Sequence, residues 1–297
     1  MKTKPTFKDW FFATHPWSFA VSALPAFVAM MYTMYNNTET NWQLGLLAII
    51  GAVIFHAGGN TLSDYHDYKS GVDQLGKQGG TDLLTTGHFA AKQILVYSLS
   101  LIAIGIGLGL YLVSQSGIEL LWIGIIGTIG ATFYSFFKYR ALGDLIIFLV
   151  YGPTIMMGTG YAMTSQLDWT LFFVSLPMTF ITMNVLHANN TRDQRSDRYA
   201  DITTLAMKLG TKVSIAHYIL LTALSYLGVA VMVALQILPI TTLVTLLTIP
   251  IAYKNCKAMK EAVNDMSNIN DLDLATAKLQ TAFSVLMSLA LIVSSVI

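Results

Sequence analysis

The sequence predicts an all-α integral membrane protein, and its composition, its apolar segments and the positions of its cations support this prediction. Hydrophobic residues make up 54% of the 297 residues and charged residues only 11%, whereas soluble domains contain roughly 25% charged residues. A run of roughly 20 mostly apolar residues is long enough to cross the hydrocarbon core of a bilayer as a helix. The composition therefore excludes an ordinary soluble domain and indicates the lipid bilayer as a partner.

Apolar segments account for most of the chain, which we interpret as a single domain over residues 1–297. The second, sixth and eighth segments are short, and the eighth contains Pro239 and Pro250. A membrane helix tolerates such breaks where neighbouring helices satisfy the freed backbone groups. We therefore predict about nine transmembrane helices, over 18–35, 44–59, 93–113, 118–137, 144–163, 171–186, 213–235, 237–253 and 280–297.

All 17 Lys and Arg residues fall in alternate connections between these segments, starting with the N-terminal one. Because cytoplasmic loops contain the excess of Lys and Arg, we predict a cytoplasmic N-terminus, an external C-terminus and a multi-pass location in the cell (inner) membrane. One helix more or fewer would place cations on both sides. The net charge of +1 says nothing about nucleic acid, and no basic run indicates a nucleic acid partner.

Polar residues follow the second apolar segment at its predicted cytoplasmic end. Asn60, Asp64 and Asp67 are four and three residues apart, so they lie on one face if the helix continues past residue 59. Gly71 then ends the helix and allows Asp73 to turn back towards that face. Carboxylates beside hydrocarbon are costly unless they are neutralised, and they indicate a functional site.

A second polar stripe follows the sixth apolar segment. Asn189, Asp193 and Asp197 are spaced by four residues, with Asn190 and Arg192 between them. One Asp-rich connection is usually a solvated loop, but two at the same membrane face favour a binding site. The spacing lacks the alternate oxygen ligands and closing Glu of a calcium loop. The third long connection, 254–279, has mixed charge, and we assign it no catalytic role.

Two facing carboxylate stripes suit a diphosphate bound with Mg²⁺, because this ion takes oxygen ligands and is usually held by one or two carboxylates plus substrate phosphates. We expect Asp64, Asp67, Asp193 and Asp197 to be catalytic metal ligands. Nearby cations can donate charge-assisted hydrogen bonds to the phosphate oxygens. These candidates are Lys69, Lys77, Lys138, Arg140 and Arg192.

Two other interpretations concern a transporter and the histidines. A secondary transporter also contains intramembrane carboxylates, but its acidic residues should lie near the midplane, whereas here they lie at one face. Four of the six histidines show no paired metal spacing, and we interpret them as packing or loop residues. They are His56, His66, His88 and His187.

The two motifs resemble those of the UbiA superfamily of intramembrane prenyltransferases, in particular its menaquinone branch, the 1,4-dihydroxy-2-naphthoate polyprenyltransferases. The similarity rests on residues 60–73, on residues 189–197 and on the Thr-Leu-Ala run at 204–206. Asp201 stands where the family usually has Gly, and His15 stands where the family has an Arg before the proline. Further similarity lies at 15–17, 84–87, 134–143 and 152–153.

The resemblance implies a nine-helix bundle with a central cavity that opens sideways to lipid, capped by the loops that contain the motifs. It implies Mg²⁺-dependent transfer of a polyprenyl group from a polyprenyl diphosphate to 1,4-dihydroxy-2-naphthoate, with loss of the carboxyl group. Other acceptors remain open: 4-hydroxybenzoate, homogentisate, a chlorin, haem or a lipid headgroup. We expect Asp73 to orient or deprotonate the acceptor hydroxyl, and Asn60 and Asn190 to orient carboxylates or phosphate, with Asn189 beside the diphosphate. Candidates to stabilise an allyl cation are Tyr65, Tyr68, Tyr134 and Phe148.

Overall fold

The fold is described by a computed structural model that covers residues 4–37, 39–73, 82–200 and 202–296. Within these ranges the chain forms α-helices joined mostly by short turns. The helices are α1 Phe7–Ala13, α2 Ala20–Asn36, α3 Trp42–Ser70, α4 Ala91–Ser116, α5 Glu119–Thr132, α6 Tyr134–Lys138, α7 Gly143–Leu149, α8 Ile155–Thr164, α9 Thr170–Arg192, α10 Gln194–Tyr199, α11 Leu205–Ala234, α12 Ile249–Glu261 and α13 Leu272–Val296. Short 3-10 segments occupy Pro16–Ser18, Ile240–Thr248 and Met266–Ile269, and a π-helical segment occupies Val150–Thr154.

Seven helical stretches in the described part of the chain are long and apolar enough to cross a membrane. This confirms an all-helical, multi-pass membrane architecture. The count of nine spans and the orientation of the termini stay predictions. The seven stretches are Pro16–Asn36, Trp42–Ser70, Ala91–Ser116, Gly143–Thr164, Thr170–Arg192, Leu205–Ala234 and Met266–Val296.

The fourth predicted span is divided into α5, which has only 14 residues, and α6. At the start of α5 the carboxylate of Glu119 accepts a hydrogen bond of 2.5 Å from the hydroxyl of Tyr161, near the end of α8. At the end of α6, Lys138 Nζ lies 3.1 Å from Asp67 Oδ2, near the end of α3. The two short helices together therefore run from one end of the bundle to the other.

The eighth predicted span is divided between the 3-10 segment Ile240–Thr248 and α12. Pro239 precedes the 3-10 segment, and Pro250 lies in the first turn of α12. A proline is accommodated there because the first N–H groups of a helix have no intrahelical acceptor. The two prolines explain why this segment is not a single long helix.

Two membrane helices continue beyond their apolar segments into the motifs. α3 runs to Ser70 and ends at Gly71, whose φ of +75° belongs to the left-handed region, so the predicted continuation past Asn60 and the stop at Gly71 are confirmed. In the second motif α9 ends at Arg192, and Asp193 connects it to α10. The spacing of four suggested one continuous helix through Asn189, Asp193 and Asp197. Instead, Asp193 connects two helices, and Asp197 belongs to the second of them.

A cavity of about 630 Å³ lies between α3, α4, α5, the π-helical segment and α9. The π-helical segment packs closely on α9, since a Cβ added to Gly152 would lie 1.9 Å from Thr179 Oγ1. Close contact of this kind stabilises helix pairs in lipid, where burial of apolar surface contributes little. The cavity wall is mostly apolar, and its polar side chains include Asn60, Asn189 and Asp273.

Candidate active site

Asp67 lies near the end of α3 and is 8% exposed. Its carboxylate accepts hydrogen bonds from Lys138 Nζ at 3.1 Å and from the Tyr139 hydroxyl. Burial alone would lower the pKa of Lys138, but the charge of Asp67 outweighs burial and the pKa is raised. Burial raises the pKa of Tyr139, and Asp67 raises it further. Lys138 therefore stays charged and Tyr139 stays neutral around pH 7.

Asp64 lies one helical turn before Asp67 and pairs with the N-terminal segment. Its Oδ2 atom is 2.8 Å from His15 Nε2. Burial alone would lower the pKa of His15, but the carboxylates of Asp64 and Asp73 outweigh burial and the pKa is raised. His15 adopts a φ of +58°, a strained conformation for a residue with a side chain. His15, which stands where the family has an Arg, is thus the cationic partner of Asp64.

The turn at Gly71 brings the chain back over the end of α3. The amides of Val72 and Asp73 donate hydrogen bonds to the carbonyl of Asp67, at 2.9 and 3.2 Å. The charge of Asp73 acts on His15, so Asp73 lies on the side of Asp64. Asn60 faces the same segment, and its amide donates to the Thr14 carbonyl at 3.3 Å.

The second motif is held by Arg192, which uses all of its donors. Nε and Nη2 donate to the two oxygens of Asp193, at 2.8 and 3.1 Å. Nη2 also donates to Asn189 Oδ1 at 2.5 Å. Nη1 donates to the Asn270 carbonyl at 2.8 Å and to Asp273 Oδ2 at 3.0 Å. The guanidinium group has five N–H donors, and these five bonds account for them.

Asp273 was missed by the sequence reasoning, which gave the third long connection no role. It lies at the start of α13, contacts Arg192 and also lines the cavity. A carboxylate two residues into an apolar helix was the available signal. This carboxylate was not singled out because the connection around it contains both acidic and basic residues.

The two motifs meet at the loop that follows α6. The amide of Thr203, beyond α10, donates to the Tyr139 carbonyl at 3.3 Å, and Tyr139 bonds to Asp67. Asp197 is 3% exposed, and its charge and that of Asp67 both act on the phenol of Tyr134. Tyr134 also lines the cavity. The motifs thus converge near the polar side of the apolar cavity.

The remaining candidates occupy different surroundings. Lys69 is exposed, and the guanidinium of Arg140 lies over the ring of Phe136, 3.7 Å from its centroid. Asn190 is 4% exposed. Lys77 and Asp201 lie outside the described residues. Among the aromatic candidates, Phe148 stacks on Phe180, Tyr68 is exposed and Tyr65 is partly buried.

The side chains of the motifs fit a hard divalent cation. Asp64, Asp67, Asp193 and Asp197 provide only oxygen donors, which is the ligand type that Mg²⁺ takes. The cations beside them, His15, Lys138 and Arg192, already balance much of the negative charge. The arrangement can therefore bind an anion and a metal ion together at the mouth of an apolar chamber.

The model of the UbiA prenyltransferase family matches residues 12–265 of the chain. UbiA prenyltransferase domain-containing protein 1 from Xenopus tropicalis is 28% identical over 273 residues, which cover 90% of this chain and 76% of the relative. The homolog of that protein from Drosophila melanogaster is 32% identical over 229 residues, which cover 74% of this chain and 63% of the relative. These relatives support the superfamily and do not single out the naphthoate branch.

Solved structures of UbiA homologs share the fold. The apo structure of a homolog from Aeropyrum pernix K1 matches with a TM-score of 0.72 and 14% identity, over 93% of this chain and 97% of that chain. A homolog from Archaeoglobus fulgidus, bound to DMAPP and Mg²⁺, matches with a TM-score of 0.63 and 12% identity, over 93% and 99% of the two chains. At such low identities the likeness concerns the fold alone.

Proposed function

The chain belongs to the UbiA prenyltransferase family, and from this premise we propose that it transfers a polyprenyl group from an isoprenoid diphosphate to 1,4-dihydroxy-2-naphthoate, a step of menaquinone biosynthesis. The observation that carries the proposal is the convergence of two carboxylate motifs near the polar side of an apolar cavity. A membrane transporter needs no such pairing of carboxylates with cations at one end of the bundle.

Asp64, Asp67, Asp193 and Asp197 would hold Mg²⁺, which when bound offsets the negative charge of the diphosphate and of the leaving group. The Archaeoglobus homolog bound to DMAPP and Mg²⁺ supports this choice of ion and substrate class. Asp67 and Asp193 each have a cation as neighbour, which offsets part of their negative charge before a metal ion binds.

The cations and amides of the motifs would bind the diphosphate oxygens. Lys138 stands beside Asp67 and can donate charge-assisted hydrogen bonds as negative charge develops on the leaving group, and Arg192 can do so by exchange with one of its present acceptors. Asn60 and Asn189 line the cavity, where they would orient the diphosphate, and Asn190 would support the same helix end. Lys69, Lys77 and Arg140 complete the proposed set as cations that attract the substrate from the aqueous side.

The apolar cavity would hold the prenyl chain next to the diphosphate. Each buried CH₂ group contributes about 0.8 kcal/mol to binding, so a long chain favours the cavity and the surrounding lipid over water. Tyr134 lines the cavity near both motifs, and its ring face can stabilise an allyl cation. Cleavage of the allylic C–O bond gives that cation and diphosphate. The electron-rich acceptor carbon then attacks the cation, and loss of the acceptor's carboxyl group as CO₂ restores the aromatic ring.

Asp73 would orient or deprotonate the acceptor hydroxyl, because the turn at Gly71 places it on the side of Asp64. The naphthoate assignment rests on the residues of the two motifs, and the names of the relatives specify no acceptor. We further propose that the site faces the cytoplasm of the cell (inner) membrane, since the Lys and Arg residues lie on that predicted side.

Replacement of the metal ligands tests the mechanism. We expect Asp64→Asn and Asp193→Asn to abolish prenyl transfer by purified protein while leaving it folded, because each removes a hard oxygen anion from the metal site. Asp168→Asn at the opposite end of α9 is the matched control and should retain activity. Full turnover in EDTA, or full activity of both site variants, would exclude the mechanism.

A competition between acceptors in one vesicle preparation tests the substrate. We expect 1,4-dihydroxy-2-naphthoate to be prenylated with release of CO₂, and 4-hydroxybenzoate to be a poorer acceptor by on the order of 10³-fold. A site built to hydrogen-bond particular hydroxyls leaves its own polar groups unpaired when a different ring binds. If prenylated benzoate dominates, the acceptor is wrong while the diphosphate chemistry stands.

A further inference from the structure

A polar cluster outside the proposed active site joins three helices. It consists of Asp144 in the first turn of α7, His187 in α9 and His217 in α11. Asp144 and His187 are 2% and 0% exposed. The residues that line the cavity in the described chain do not include these three. The cluster is therefore separate from the chamber proposed for prenyl transfer.

The contacts within the cluster are close. His187 Nδ1 lies 3.0 Å from Asp144 Oδ2, and the ring centroids of His187 and His217 are 4.6 Å apart. A metal ion that takes the place of the shared proton would bind both Asp144 Oδ2 and His187 Nδ1.

Three atoms of the cluster lack an ordinary partner. Asp144 Oδ1, His187 Nε2 and His217 Nε2 are buried and have no hydrogen-bond partner among the described residues. Buried polar atoms without partners are few in native proteins. The contact between Asp144 and His187 therefore leaves a carboxylate oxygen of Asp144 and a nitrogen of His217 available to a further ligand.

The chemistry of the three side chains selects the ligand. One ligand atom from each residue lies within 4.8 Å of those of the other two. Imidazole nitrogen with carboxylate oxygen suits Zn²⁺ and related first-row ions, whereas Mg²⁺ takes oxygen ligands. Donors around tetrahedral Zn²⁺ lie about 3.4 Å apart, given bonds of about 2.0 to 2.1 Å. Small side-chain rotations would close the cluster around such an ion.

We propose that Asp144, His187 and His217 form a binding site for a Zn²⁺-class transition-metal ion, distinct from the proposed Mg²⁺ site. The ion links α7 and α11 to α9 two residues before Asn189, where the second motif begins. Its role is to fix the end of α9 that presents this motif. The proposal goes beyond the proposed function and does not depend on the identity of the acceptor.

A Co²⁺ titration of the purified full-length protein in detergent, with millimolar Mg²⁺ present, tests the site. Mg²⁺ occupies sites made of oxygen alone, so we expect visible absorption from one tetrahedral Co²⁺ per chain, reversed by Zn²⁺. His217→Gln is expected to weaken Co²⁺ binding at least tenfold, because removal of even an outer partner of a metal ligand costs that much. His66→Gln, an exposed histidine on α3, and Asp193→Asn should bind Co²⁺ as the wild type does.

Thermal unfolding separates loss of the ligand from misfolding. Zn²⁺ is expected to raise the unfolding midpoint of the wild type and of His66→Gln but not that of His217→Gln, since a ligand stabilises only the state that binds it. If His217→Gln does not fold, Asp144→Asn, which keeps the shape of the side chain, takes its place. Absence of the Co²⁺ band, or wild-type binding by either variant, would overturn the proposal and leave water as the partner of these atoms.

Discussion

At the scale of single residues, Asp67 and Lys138 show how the bundle keeps charge beside hydrocarbon. Their side chains are 11% and 15% exposed, so each charge is largely removed from water and depends on the other. Loss of one partner from a buried pair leaves an uncompensated charge, which costs far more than the pair itself contributes.

We predict that Lys138→Met lowers the free energy of unfolding by about 3 to 5 kcal/mol in EDTA, because it leaves the buried carboxyl group of Asp67 without its cationic partner. Adding Asp67→Asn to this variant should restore part of the loss. Chemical denaturation in detergent measures both changes. Lys69→Met, on the exposed side of α3, should change stability by less than about 0.5 kcal/mol. Equal losses in Lys138→Met and Lys69→Met would contradict the prediction.

Helix spacing in the sequence singled out Asp64 and Asp67 as candidates, but it did not identify their partners. His15 lies 49 positions from Asp64, and Tyr139 lies 72 positions from Asp67. Spacing along one helix predicts which side chains share a face. The spacing contains no information on which distant segment packs against that face, so these partners could be identified only in the structure. The catalytic roles of the motif residues stay predictions.

At the scale of elements, the end of α3 determines where the first motif turns. Gly71 has a φ of +75°, and a Cβ added there would meet no atom within 4 Å. Any cost of a side chain at this position therefore comes from the backbone conformation alone. That conformation is unfavourable for an L-residue by roughly 1 to 2 kcal/mol.

We predict that Gly71→Ala lowers the free energy of unfolding by about 1 to 2 kcal/mol, and that Gly71→Asn lowers it less, since Asn tolerates positive φ. Gly107→Ala is the control, because Gly107 is inside α4 with equally open surroundings. The control should be neutral or stabilising, as Ala is the better helix former. An identical loss in Gly71→Ala and Gly71→Asn would contradict the backbone argument.

Hydropathy predicted the existence of the long helices better than their ends. α3 and α9 extend past their apolar segments because the polar residues of their last turns are held by partners such as His15, Lys138 and Arg192. Conversely, the segments 118–137 and 237–253 were read as single spans and are divided in the structure. Hydropathy alone does not predict the helix break at Phe133 or the breaks at Pro239 and Pro250.

At the scale of the whole molecule, topology is the property that the positions of the cations predict most directly. Lys138 contacts Asp67, so the loop after α6 lies at the same end of the bundle as the first motif. This placement agrees with the predicted alternation of sides. The loop after α6 is therefore an additional position at which the predicted alternation of sides can be tested.

We predict that reporters inserted after Lys2, between residues 77 and 92, after Arg140 and after Lys257 are cytoplasmic, and that a reporter at Ile297 is external. The physical reason is that Lys and Arg resist translocation. Labelling with a membrane-impermeant reagent in intact cells measures this. If positions 77 and 297 label from the same side, or if Arg140 is external, the nine-span topology is wrong.

The five hydrogen bonds of Arg192 have a consequence for selectivity among anions. Because every N–H of the guanidinium is already engaged with Asn189, Asp193, Asn270 and Asp273, an incoming anion can bind Arg192 only by exchange with one of these acceptors. A singly charged anion, such as another carboxylate, exchanges like for like and gains little. A diphosphate offers more charge and more oxygens at once, so the exchange favours it. We therefore expect Arg192 to discriminate by the charge of its ligand, before the length of the prenyl chain or the shape of the acceptor has any influence.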